Sequence, residues 1–128
     1  MGDFVVYRVK LSSMLLKEVC EWSKYFGVPQ KAFCGLLLKQ VGISVKYENR
    51  RIIPPESWQK YREFSDYNSH LKIELETRTF VEEYAQKFMM HPAEVVRQFL
   101  VIGVEFLKTN KGCVPEDIPA KLFPKQAA

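Results

Sequence analysis

The sequence predicts a mainly α-helical protein in which the order strand, helix, turn, helix occurs twice. Three observations carry this. Two short stretches, one near the start and one past the middle, alternate apolar and polar residues. Each is followed by apolar residues at three-and-four spacing, and a proline, Pro29 in one half and Pro92 in the other, marks the same point of the pattern.

From Phe4 to Leu11, Tyr7, Val9 and Leu11 alternate with Val6, Arg8 and Lys10, the period of a strand with one buried face. Ser12 and Ser13 offer hydroxyls that can cap a helix. Leu15, Leu16, Val19, Trp22, Ser23 and Phe26 then follow helical spacing, and Gly27 ends that helix. Pro29 opens a second helix whose inward stripe is Phe33, Leu36, Leu37 and Val41, with Gly42 as its expected close.

In the second half Leu71, Ile73 and Leu75 alternate with His70, Lys72 and Glu74, which predicts a matching strand. Thr79-Phe80-Val81-Glu82 resembles a capping box at the start of a helix whose apolar side is Phe80, Val81, Tyr84, Ala85 and Phe88. Met89-Met90-His91 is the turn. After Pro92 comes the strongest periodic segment of the chain, with Val95, Val96, Phe99, Leu100, Gly103, Phe106 and Leu107 on one side of a helix reaching Asn110. The parallel order indicates an internal duplication.

Between the halves, Ile43 to Ile53 alternates enough to suggest an extended segment or a hairpin turning at Asn49, stopped by Pro54 and Pro55. Trp58, Tyr61 and Phe64 lie at helical spacing and predict a short linker helix packed on the body. The expected organisation is a first unit over 1–42, a linker with a short helix over 43–69, a second unit over 70–111 and an irregular tail over 112–128.

The 128 residues suit one compact domain or two small units sharing a core, and 47% hydrophobic with 27% charged residues is an ordinary globular composition. The apolar runs, such as Phe99 to Val104, are far too short for a membrane span, and the first residues do not read as a signal peptide. Cys20, Cys34 and Cys113 are widely spaced and read as free thiols in a reducing compartment, so a cytoplasmic location is expected. Neither they nor His70 and His91 have the spacing of a metal site. The net charge is +4, and all of the excess lies in residues 1–69, with 11 Lys and Arg against 7 Asp and Glu, whereas residues 70–128 hold 8 of each. A basic half suits phosphate contact.

At Glu94-Val95-Val96-Arg97-Gln98-Phe99-Leu100, preceded by strand, helix and a proline-marked turn, the chain resembles the ribbon-helix-helix family of DNA-binding regulators, the MetJ/Arc type. Tyr7-Arg8-Val9-Lys10-Leu11-Ser12-Ser13 and the helices after it fit the same template less tightly. The resemblance implies a short antiparallel β-ribbon, one strand from each unit, so that the two units pair within one chain where most of the family pairs two chains. It further implies a transcriptional regulator, nucleoid-associated, that reads the major groove of double-stranded DNA with the outward residues of the ribbon. By position these are Val6, Arg8 and Lys10 from the first strand and His70, Lys72 and Glu74 from the second. Arg8 suits a bidentate guanine contact, whereas Glu74 opposes a polyanion unless it accepts from cytosine. The amides that open each second helix, near Gln30 and Lys31 and near Ala93 and Glu94, would hold phosphates. A homodimer presenting two such ribbons to adjacent half-sites is the assembly this implies.

Other readings stand beside it. Arg8 and Lys10 taken alone are solvated charges on a strand face, and Trp22, Trp58, Tyr61 and Phe64 at helical spacing are core residues before they are base-stacking platforms. Arg50 and Arg51 belong to a surface turn that can touch phosphate. The first half also resembles a winged helix-turn-helix with Gln30 and Lys31 on the recognition helix and Arg50 and Arg51 on the wing. In a third reading the fold serves dimerisation, as in an antitoxin-like module, and the tail residues Val114, Ile118, Leu122 and Phe123 bind a protein partner. No serine elbow, glycine-rich phosphate loop or apolar carboxylate pair is present, so no catalytic residue, metal or cofactor is expected.

Overall fold

Nine residues of alternating exposure, Phe4–Ser12, form strand β1 and run directly into helix α1, Ser13–Phe26. Ser12 does two jobs at that junction. Its backbone is still extended, and its hydroxyl accepts the Leu15 amide at 3.0 Å, satisfying one of the donors that a helix start leaves unpaired. The computed structural model describes residues 3–48 and 56–109. The elements that follow are α2 (Gln30–Glu48), a short 3-10 helix (Glu56–Tyr61), β2 (Phe64–Glu74), α3 (Leu75–Lys87) and α4 (Pro92–Thr109). Among the described residues the protein is thus mainly helical, with one small sheet.

That sheet is a two-stranded antiparallel pair of β1 with β2. Phe4 lies opposite Glu74, Val6 opposite Lys72, Arg8 opposite His70 and Lys10 opposite Asn68, with a shift of register between Lys10 and Ser12, which faces Phe64. The Leu75 amide continues the ladder by donating to the Asp3 carbonyl at 2.8 Å. Two strands alone are marginal in water, so the ribbon needs a floor. The inward residues Val9, Leu11, Leu71 and Ile73 supply one face of it, and the helices supply the rest in a single core drawn from both halves of the chain.

The turn between helices is built the same way twice. After α1, Gly27 takes a left-handed conformation (φ 68°), its amide donates to the Lys24 carbonyl, and the Val28 amide donates to Ser23. After α3, Met89 takes the same conformation (φ 55°), with its amide on Gln86 and that of Met90 on Ala85. The two sites are 62 positions apart, as are the starts of α1 and α3. A methionine there carries the Cβ penalty that glycine avoids, so the second turn holds its shape at some local cost.

Several boundaries differ from the sequence expectation, each for a physical reason. Gly42 does not close the second helix, because α2 continues to Glu48 and buries Val45 one turn beyond Val41. The missing side chain at Gly42 instead admits the Phe80 ring, whose nearest carbon lies 3.3 Å from where a Cβ would stand. The expected extended segment at Ile43 to Ile53 is therefore helical over 43–48, which removes the start of the wing that a winged helix-turn-helix requires. Asn49, Arg50, Arg51 and the rest of that stretch lie outside the described residues, as does the tail with Cys113.

Phe64 belongs to β2 and not to the linker helix, so β2 starts six residues before the expected His70 and the linker is correspondingly shorter. Trp58 and Tyr61 are buried as expected. Helix α3 begins at Leu75, which places Thr79 inside it. There its hydroxyl donates to the Leu75 carbonyl at 3.0 Å and caps nothing.

Candidate nucleic-acid interface

Alternation along β1 turns Phe4, Val6, Arg8 and Lys10 away from the helices, and the antiparallel register sets Asn68, His70 and Lys72 beside them. All seven are exposed, Val6 at 67% and Phe4 at 54% of their full surface. Five of the six residues expected on the outward face therefore share one open surface. The sixth, Glu74, has the same parity but is half-buried at the end of the ribbon, where Lys39 of α2 holds its carboxylate at 2.8 Å. The opposition of Glu74 to an anion is thereby largely neutralised.

Beside the centre of the ribbon lies a cleft of about 200 Å³ lined by Val6, Arg8, Lys31, His70, Leu71 and Lys72. Three permanent cations and an imidazole converge on it, with no carboxylate in the lining. Lys31 arrives there because α2 starts just after the Gly27 turn, and the Pro29 carbonyl already accepts the Phe33 amide at 2.8 Å, closing the first helical turn. The amides before Phe33 point out of the helix start, beside Lys31, with the positive end of the helix dipole. Gln30 is half-buried at that same start and does not line the cleft. At the ribbon's Glu74 end, the Lys72 ammonium stands 4.8 Å from the centre of the Phe4 ring.

The start of α4 differs. The Ala93 amide, expected to hold a phosphate, donates to Nδ1 of His91 at 3.2 Å, and the Glu94 and Val95 amides donate to the His91 carbonyl. These donors are already used within the chain. Glu94 is paired with Arg97 at 3.4 Å, and the Arg97 Nε donates to the Lys10 carbonyl at 2.7 Å. Arg97 and Lys39, neither expected from the sequence to touch the ribbon, thus fasten the two second helices to it. Asn68 was missed because the second strand was expected to start at His70, and Phe4 only continues the alternation already read at Val6, Arg8 and Lys10.

Elsewhere, the linker helix is held by a polar cluster. The Tyr61 hydroxyl donates to Glu18, and the Lys108 ammonium bridges Glu18 at 2.5 Å and the Tyr61 oxygen at 3.0 Å. Burial, reinforced by the Glu18 carboxylate, pushes the Tyr61 phenol up to about 12. Burial opposes the Lys108 charge, but the hydrogen bonds to Glu18 and Tyr61 outweigh it and raise its pKa. Burial alone pushes the Cys34 thiol up to about 12, leaving it a poor nucleophile near neutrality.

Comparison with protein-family models, curated proteins and solved structures finds no match for this chain. Among the described residues, no group of three or more His, Cys, Asp or Glu is arranged to hold a metal, and no helix is long and apolar enough to cross a membrane. The outward face of the ribbon, with the cleft beside it, gathers Arg8, Lys10, Lys31, His70 and Lys72 on one side of the described residues.

Proposed function

We propose that this chain is a DNA-binding regulator of ribbon-helix-helix type, its two units paired within one polypeptide, which inserts the β1–β2 ribbon into the major groove of duplex DNA. The observation that carries this reading is the antiparallel register, which gathers Arg8, Lys10, His70 and Lys72 on one open face with Lys31 at its edge. A two-stranded ribbon fits the major groove, and its outward side chains then meet base edges. Arg8, at the middle of the ribbon, takes guanine O6 and N7. Lys31 and the first amides of α2 take the flanking phosphates. Because the ribbon is complete within one chain, a single copy presents the reading surface, and a homodimer would present two.

Fluorescence anisotropy on a pool of genomic fragments, repeated over a salt series, tests the reading. Arg8→Ala is expected to lower specific affinity by about 1–3 kcal/mol and to relax preference at one base pair. Lys31→Ala is expected to weaken all sequences alike and to reduce the salt slope by about one phosphate contact. Unchanged affinity and salt dependence in Arg8→Ala would dismiss the ribbon as the reading surface.

A further inference from the structure

Resting on the DNA-binding reading above, we infer that one ribbon reads a duplex element without dyad symmetry, with Val6 recognising a thymine methyl in one half and Asn68 recognising an adenine in the other. Residues 62 positions apart occupy equivalent places, as the Gly27 and Met89 turns and the starts of α1 and α3 show. On that spacing Arg8 is the equivalent of His70, and the register sets these two opposite each other. They mark the centre of the ribbon, so its two halves can be compared residue by residue.

A symmetric reader needs the same chemistry at equivalent places. Lys10 and Lys72 meet that requirement by residue type, but Val6 and Asn68 do not. Val6, 67% exposed, offers only methyl groups, and the thymine C5 methyl is the apolar feature of the major groove. Asn68, also exposed, carries an amide that can pair with adenine N6 and N7 at once. At the centre, the Arg8 guanidinium forks onto guanine where the His70 ring offers a single donor or acceptor at each nitrogen. Even the lysines differ, since Lys72 stands over the Phe4 ring.

The phosphate anchors are one-sided too, and this is independent of the outward residues. Lys31 and the start of α2 flank the half that holds Val6 and Lys72. At the start of α4, beside Lys10, the Ala93 amide is taken by His91 and Glu94 is tied to Arg97. One half of the element is therefore gripped by its backbone more firmly than the other.

Selection from random duplexes with the full chain gives the test, followed by trimming to the shortest duplex that binds one copy. The expected element is not its own reverse complement. Replacing thymines by uracil one at a time should weaken binding about fourfold, the worth of one buried methyl, at a position in one half only. Val6→Ala should reduce that difference and leave the adenine preference of the other half intact, while Asn68→Ala should remove the adenine preference and leave the uracil effect unchanged. Both side chains are exposed, so neither variant threatens the fold. A dyad-symmetric element that remains sensitive to Arg8→Ala would overturn this inference and keep the DNA reading. Equal uracil effects in both halves would overturn it as well, as would a thymine preference indifferent to Val6→Ala. Failure to bind any duplex would remove both readings together.

Discussion

The second helix of each half docks on the strand of the other half, but by opposite means. Helix α2 reaches β2 by removing a side chain, because a Cβ on Gly35 would sit 2.1 Å from the Lys72 carbonyl oxygen. Helix α4 reaches β1 by adding one, because the Arg97 guanidinium hydrogen-bonds the Lys10 carbonyl at 2.7 Å. Lys10 and Lys72 are equivalent on the 62-residue spacing, so the two carbonyls are corresponding points of one frame. Equivalent points of a repeated geometry can thus be held by different contacts, provided each contact satisfies the same geometric need. It also means that the two halves fail differently when perturbed.

The largest expected effect is at Gly35. In Gly35→Ala the new methyl meets backbone, which cannot turn aside, so α2 must separate from β2 at a cost of about 3 kcal/mol or more. Gly103→Ala is the control on α4. Its methyl would meet the Leu37 side chain at 2.5 Å, and although Leu37 is only 1% exposed, a side chain can repack, so about 1–2 kcal/mol is expected. Urea unfolding measures both. Equal costs would mean that α2 is not seated on the β2 backbone as described.

How much of this was legible beforehand varies with the range of the interaction responsible. Alternation at Val6, Arg8 and Lys10 and at His70 and Lys72 is local, and it identified the outward face. Ser12 as a cap and Gly27 as a stop are equally local. The register is not local, since it joins residues 52 to 70 positions apart, and alternation within either strand does not set Arg8 against His70. Gly42 misled because its role depends on Phe80, which arrives from another helix. Phe64 misled because its helical spacing from Trp58 and Tyr61 is shared with a strand that starts there, and Phe64-Ser65-Asp66-Tyr67 shows no alternation. The use of the Ala93 amide by His91 had a visible signal, a histidine just before the proline of a helix start, but its ring could equally have faced solvent.

The linker joins the halves, and its hold is chemically distinct from both. Tyr61 is 1% exposed and donates to Glu18, so Tyr61→Phe removes a hydrogen bond to a charged group and should cost about 2 kcal/mol. The same group makes a pH prediction. Below its ordinary value of 10 the phenol is neutral in both states. Between 10 and about 12 it ionises only when unfolded, so stability falls as pH rises through that window. The Lys108 ammonium acts in the same direction, since its raised pKa gives stability that is complete below 10.5 and is lost above it. The Cys34 thiol starts earlier, from 9. Stability should therefore decline from about pH 9 upward, with Cys34→Ala flattening the first part of the decline and Tyr61→Phe the later part. A profile unaltered by either variant would mean that these groups are open to water.

The smallest expected effect separates the two strand-to-helix junctions. Ser12 and Glu74, 62 positions apart, have nearly the same backbone, φ −68° and ψ 151° against φ −71° and ψ 147°. Ser12 caps α1 with its hydroxyl, whereas the Glu74 side chain makes no cap bond to α3 and goes to Lys39 instead. Ser12→Ala should then cost about 1 kcal/mol, the usual worth of such a cap. Glu74→Ala loses only a partly exposed ion pair and should cost about half as much or less. Glu74→Ser supplies the missing cap at a backbone already shaped for it, so it should be more stable than Glu74→Ala by nearly the amount that Ser12→Ala loses. If serine at 74 gains nothing over alanine, the similarity of the two junctions ends at the backbone, and α3 depends on the Leu75–Asp3 hydrogen bond of the ribbon for its start.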